Sequence, residues 1–232
     1  AESAGKAVRL KKLDKQSWQA APCSGPLLVR YQVYAWDLSV RAAHLDQTHG
    51  FFNGTSVFLQ VHDQESVPHV VEILPPQGDE YGGWRVATAM TELKAKRHGF
   101  GSYVAQNYDE LIDHPVEMGE FKLLRFSAHG VPHEMVITGR VPNLDGARLC
   151  ADLTKICEAQ IALFEPATKK APMTRYVFMT LAVGDGYGGL EHRNSTALLC
   201  RRDQIPQENI LFEESAYREF LGLCSHEYFH AW

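Results

Sequence analysis

The segment His226-Glu227-Tyr228-Phe229-His230 carries the most specific chemistry in this chain. Residues four apart share one face of a helix. Two imidazoles at 226 and 230 can therefore present nitrogens ~2.0–2.1 Å from one zinc ion. Glu227, beside the first imidazole, is placed to take a proton from activated water and later deliver it to a leaving amine. That is the division of labour of an H-E-x-x-H zinc peptidase. The chain has 11 histidines, and composition alone makes the pattern roughly a 4% event. The plainer alternative is a pair of histidines on an ordinary packed helix. Tyr217, Phe220, Leu221, Cys224 and Phe229 surround the motif with apolar side chains. Two imidazoles and a carboxylate are expensive in such a segment without a partner, which favours the metal reading.

A second group is Gly188-Gly189-Leu190-Glu191-His192. Glycines let a backbone come close to a ligand, and a carboxylate displayed there can pair with a cation such as a substrate α-amino group. A glycine-rich turn with a solvated Glu191 and His192 accounts for the spacing equally well. Other candidates are weaker. His129 and His133 are four apart, but Gly130 and Pro132 oppose a helix between them, so both read as loop histidines. Asn53-Gly54-Thr55 and Asn194-Ser195-Thr196 read more simply as a turn and a strand entry than as glycosylation sites. The glycine cluster from 184 to 189 lacks the lysine and spacing of a phosphate-binding loop. Ser225 reads as a helix residue rather than a nucleophile.

These residues need elements to position them. The first ~140 residues show period-two alternation, the signature of strands. Strands are expected at residues 28–40, 56–61, 70–74, 84–89, 121–127 and 134–140. The turn signals between them include Asn53-Gly54, Pro75-Pro76, Gly82-Gly83 and Val131-Pro132. Near Pro142 the period changes. Asp145 can cap a helix running to about residue 164, with Leu149, Leu153, Ile156, Cys157, Gln160 and Phe164 forming its stripe. Strands at 176–183 and 195–200 follow, and a last helix runs from near Glu214 to Trp232. The expected class is α+β: an antiparallel β domain over residues 1–142, then a mixed α/β part over residues 143–232.

Composition narrows the function. Hydrophobic residues make up 45% and charged residues 22%, ordinary for a globular protein. The net charge is -5 and no basic block occurs, so no nucleic-acid partner is expected. No apolar run approaches the ~20 residues of a membrane span. The five cysteines form no C-x-x-C and read as free thiols. A cytoplasmic setting is expected, or a periplasmic one if a leader has been removed.

The run Tyr187-Gly188-Gly189-Leu190-Glu191-His192-Arg193-Asn194-Ser195, followed by Ser225-His226-Glu227-Tyr228-Phe229-His230-Ala231-Trp232, resembles the M61 family of glycyl aminopeptidase-type zinc metallopeptidases. Upstream, Tyr34-Ala35-Trp36-Asp37-Leu38-Ser39-Val40-Arg41, Asn53-Gly54-Thr55-Ser56 and Tyr108-Asp109-Glu110-Leu111-Ile112-Asp113-His114-Pro115-Val116 resemble its N-terminal domain. The likeness runs from about residue 27 onward. It implies a thermolysin-like catalytic domain of the gluzincin clan after the β domain, commonly followed by a PDZ domain. It implies that His226 and His230 are zinc ligands and that Glu227 is the general acid/base. Gly188, Gly189, Leu190 and Glu191 match the place where related aminopeptidases carry Gly-x-Met-Glu-Asn. Glu191 would there bind the free amino terminus of a peptide, and Gly188 and Gly189 would line the substrate. His192 stands where the relatives have Asn.

The third zinc ligand of this clan is a Glu on a later helix, and this chain ends at Trp232. The expectation is therefore an N-terminal fragment of a longer zinc-dependent aminopeptidase, preferring small N-terminal residues such as Gly or Ala. By itself it would bind zinc poorly, show little activity, and self-associate through the apolar end at Phe229 and Trp232. The alternative from a different class is a binding or scaffold module that retains a metallopeptidase remnant.

Overall fold

The computed structural model describes residues 1–208 and 214–232. It falls into two compact units, residues 1–34 and 35–232. The first holds two small antiparallel hairpins: β1 (Glu2–Ser3) with β2 (Lys6–Ala7), and β3 (Leu10–Lys12) with β4 (Trp18–Ala20). Asp14 shapes the second turn, its Oδ1 accepting from the Gln16 and Ser17 amides at 2.9 and 2.8 Å.

Among its described residues the second unit contains three sheets. In one, the order is β5 (Ala43–Leu45), β6 (His49–Phe52), β11 (Val116–Gly119), β8 (Arg85–Ala87), all antiparallel. In another, β10 (Gly101–Ala105) lies between β7 (His69–Ile73) and β9 (Thr91–Glu92). The short helix α1 (Tyr108–Ile112) leads into β11 and is capped by Asn107, whose side chain accepts from the Glu110 amide at 2.7 Å. This part fits the antiparallel β domain expected at the N-terminal end. Two expected strands are corrected. Residues 28–40 form no ladder, only isolated bridges at Leu28 and Trp36. Tyr34 is 89% and Trp36 63% exposed, so no covered face selects a pairing register. Residues 56–61 follow a single turn of 3-10 helix, Gly54–Ser56, and are irregular thereafter.

The third sheet has the order β12 (Phe121–Ala128), β13 (Val131–Gly139), β14 (Tyr176–Val183), β16 (Ser195–Arg201), β15 (Gly188–Glu191). The β13–β14 and β14–β16 pairs are parallel and the outer two antiparallel. The sheet spans the boundary expected at residue 142, drawing two strands from before it and three from after. The β12–β13 turn is His129-Gly130, with φ of 43° and 82°, the left-handed pair that a two-residue hairpin requires. Val131 and Pro132, expected as the turn, belong to the strand. α2 (Gly146–Phe164) links β13 to β14, and Asp145 caps it as expected, accepting from the Arg148 amide at 2.9 Å.

α2 and α3 (Glu214–Phe229) pack on one face of this sheet. Met135, Ile137, Tyr176 and Phe178 meet Leu149, Leu153, Phe220 and Tyr228 there. The intervening residues Val136, Val177 and Met179 face the other way and pack against Ala87, Ala89 and Phe121. Burial on both faces explains why β14 reads as an almost unbroken apolar run. All five cysteines are free. Among the described residues no helix is long and apolar enough to cross a membrane.

Leu153 is fully buried on α2 and Leu163, on the same helix, is 65% exposed. In denaturant unfolding of the full-length protein, Leu153→Ala should cost about 2–5 kcal/mol, and Leu163→Ala should stay within about 0.5 kcal/mol.

Candidate active site

α3 buries a stripe of Tyr217, Phe220, Cys224 and Tyr228, the spacing of one helix face. Tyr228 fixes its far end. The His133 Nδ1 lies 2.9 Å from the Val131 carbonyl and must donate to it, so Nε2 is the acceptor for the Tyr228 hydroxyl at 3.0 Å. Burial holds His133 below its ordinary pKa, consistent with the neutral ring. His133, expected in a loop, is thus a buried strand residue that anchors the motif helix. From α2, the Gln160 amide donates to the Ser225 carbonyl and hydroxyl at 2.8 and 2.9 Å.

The helix ends at Phe229, three residues short of the expected Trp232. His226 occupies its last turn and His230 the turn just beyond. Trp232 stacks on Phe164 with ring centroids 5.0 Å apart and is half-buried, whereas Phe229 remains 49% exposed. His226 and His230 are both exposed on the open side, with their Nε2 atoms 3.3 Å apart. That separation is about the edge of a tetrahedron with ~2.0–2.1 Å arms, so the two nitrogens fit one zinc ion.

Glu227 is 4% exposed, with a carboxylate oxygen within 4.8 Å of a ring nitrogen of His230. It lies beneath β15, the edge strand of the five-stranded sheet. A Cβ built on Gly189 would stand 1.9 Å from Glu227 Oε1, so any side chain at 189 would require this carboxylate to move. Among the described residues Glu227 Oε2 is buried with no hydrogen-bond partner, which is costly for a carboxylate. Its pKa is raised, first by burial and further by Glu191; His226, His230 and Arg41 oppose the shift. Glu191, exposed at the end of β15, offers a carboxylate oxygen within 4.8 Å of ligand atoms of both Glu227 and His230. The structure therefore brings Gly188, Gly189, Glu191, His226, Glu227 and His230 together, from an edge strand and a helix distant in sequence.

The turn after Glu191 is held by α1. His192 is buried rather than solvated, its Nδ1 3.5 Å from Asp113 Oδ1. The Arg193 amide donates to Asp113 Oδ2 at 3.2 Å, and its guanidinium pairs with Asp109. Glu191, His192, Arg193, Asp113 and His230 line an open cleft.

A second cluster went unread in the sequence. His44 Nε2 lies 3.2 Å from Asp46 Oδ2, and His49 Nδ1 lies 3.2 Å from Glu117 Oε1, which also accepts from Thr138 at 2.9 Å. The two imidazoles stack 5.0 Å apart at 25°, and ligand atoms of His44, Asp46 and His49 lie within 4.8 Å of one another, close enough to hold a metal ion.

The sequence model of the peptidase M61 N-terminal domain matches residues 1–120. The crystal structure of an aminopeptidase N family protein from Idiomarina loihiensis superposes with a TM-score of 0.93 at 47% identity, covering 100% of this chain and 38% of that one. Legionella pneumophila aminopeptidase A, solved in complex with aspartic acid, superposes with a TM-score of 0.51 at 12% identity over 84% of this chain and 24% of its own. That second likeness concerns the fold alone. No curated protein matches.

Gly189→Ala should force Glu227 out of position. A crystal structure of the variant should show the Glu227 carboxylate displaced from beneath β15, and an unmoved carboxylate would contradict this reading of the contact.

Proposed function

The chain belongs to the peptidase M61 family, and from that premise we propose that it carries part of the active site of a zinc-dependent aminopeptidase. The observation that bears most weight is the convergence of His226 Nε2 and His230 Nε2 at 3.3 Å beside the buried Glu227 and the exposed Glu191. Two imidazoles supply two of the three protein ligands of a catalytic zinc site. When bound, zinc supplies the Lewis acidity that makes water nucleophilic near neutral pH.

Glu227 does the proton work. Its raised pKa lets it accept a proton from the attacking water and return it to the leaving amine, as a general base and then a general acid. Glu191 holds the substrate's α-ammonium group at the end of β15, so that only the first peptide bond reaches Glu227. Backbone groups of Gly188 and Gly189, on the free side of an edge strand, pair with an extended peptide. A preference for small N-terminal residues such as Gly or Ala rests on the family resemblance.

We also assign the five-stranded sheet, from Phe121 onward, to a thermolysin-like catalytic domain. The family match ends at residue 120 and β12 begins at Phe121, which argues for a boundary there rather than at residue 142. The chain spans 38% of the length of the Idiomarina protein, and the activity proposed is that of the whole protein.

The test is hydrolysis of alanyl and glycyl p-nitroanilides by the full-length protein. Glu227→Gln should lower kcat by about 10²–10⁴-fold. Chelation should abolish turnover and zinc restore it, and N-acetylated substrates should not be cleaved. Turnover that survives Glu227→Gln, or equal cleavage of blocked and free substrates, would contradict the proposal. A wild-type protein inert toward every peptide would favour the scaffold reading.

A further inference from the structure

Arg41 is the unabsorbed charge beside this site. Its backbone is fixed in a tight turn: the Ala42 amide donates to the Ser39 carbonyl at 3.0 Å, and the Ser56 hydroxyl to the Arg41 carbonyl at 2.8 Å. Its side chain is exposed and makes no hydrogen bond or ion pair among the described residues. The neighbouring Val40 is 5% exposed, and one of its methyl carbons lies 3.8 Å from where a Cβ on Gly188 would stand. The turn thus abuts the Gly188 end of β15, opposite the end that carries Glu191.

This polarity orders a bound peptide, on the aminopeptidase reading given above. With the α-ammonium at Glu191 and the scissile bond over Glu227, the rest of the peptide runs toward Gly188. The four residues of β15 span about 10 Å at ~3.3 Å per step, which is the length of a di- or tripeptide. The carboxylate of a short peptide then arrives beside Arg41, and a guanidinium fork is the side chain best matched to a carboxylate. A solvated arginine with no role would also be exposed, but this one follows directly on the buried Val40 that packs at the Gly188 end of β15.

We propose that Arg41 is a specificity residue that binds the C-terminal carboxylate of short peptides, so that the enzyme favours di- and tripeptides with a free acid end. The full-length protein is assayed on alanyl-alanine and trialanine and on the C-terminal amides of both. Wild type should hydrolyse the acids with kcat/KM about 10-fold above the amides. Arg41→Gln should remove that preference by slowing the acids about 10-fold more than the amides, and Arg41→Lys should recover part of it. Equal loss on acids and amides would show a merely structural role and overturn the proposal, as would a wild type that treats both alike. A wild type that cleaves neither overturns the aminopeptidase reading and this proposal with it.

Discussion

The site depends on the passage of an edge strand over a buried carboxylate. Gly189 lies so close to Glu227 that any side chain there would collide with it. This contact keeps Glu227 out of bulk water, raises its pKa, and sets the strand's free edge beside the two histidines. Burial of a carboxylate with one oxygen unpartnered is costly. The cost is offset by the packing of α3, whose Tyr217, Phe220, Cys224 and Tyr228 are embedded in the largest core, and by the Tyr228–His133 hydrogen bond.

Residues upstream of the five-stranded sheet hold the edge strand at both ends. Asp113 and Asp109 grip the turn that follows Glu191. Val40 packs at the Gly188 end. Val40, Asp109 and Asp113, within the residues matched by the family's N-terminal domain, thus help to hold this strand. This gives a physical reason for two otherwise unexplained sequence runs, the one ending in Arg41 and the one centred on Asp113. An edge strand has no further strand on its free side, so its ends are where support is available.

The helix motif was legible because i, i+4 spacing is a local rule, and so were α2, β14 and β16, whose periods run for seven or more residues. β5, β6, β9, β10, β11 and α1 were not, since each has five residues or fewer and so short a period registers only beside a strong turn signal, as Pro75-Pro76 and Gly82-Gly83 give β7 and β8. The alternation at residues 28–40 reported extended backbone, but pairing needs a neighbour that alternation cannot supply. His133 was misjudged for a related reason: Gly130 and Pro132 correctly excluded a helix, yet a hairpin strand satisfies the same residues. The proximity of Glu191 to Glu227 and the role of Asp113 lie in tertiary contacts, which no local spacing encodes.

The most direct measurement is a crystal structure of the full-length protein with bound alanine, with data collected at the zinc absorption edge. An anomalous peak ~2.0–2.1 Å from both His226 Nε2 and His230 Nε2, with the amino group of alanine within hydrogen-bond distance of Glu191, is the expected result. Zinc bound away from these histidines, or alanine with its amino group turned from Glu191, would contradict the assignment of this cleft as an aminopeptidase site.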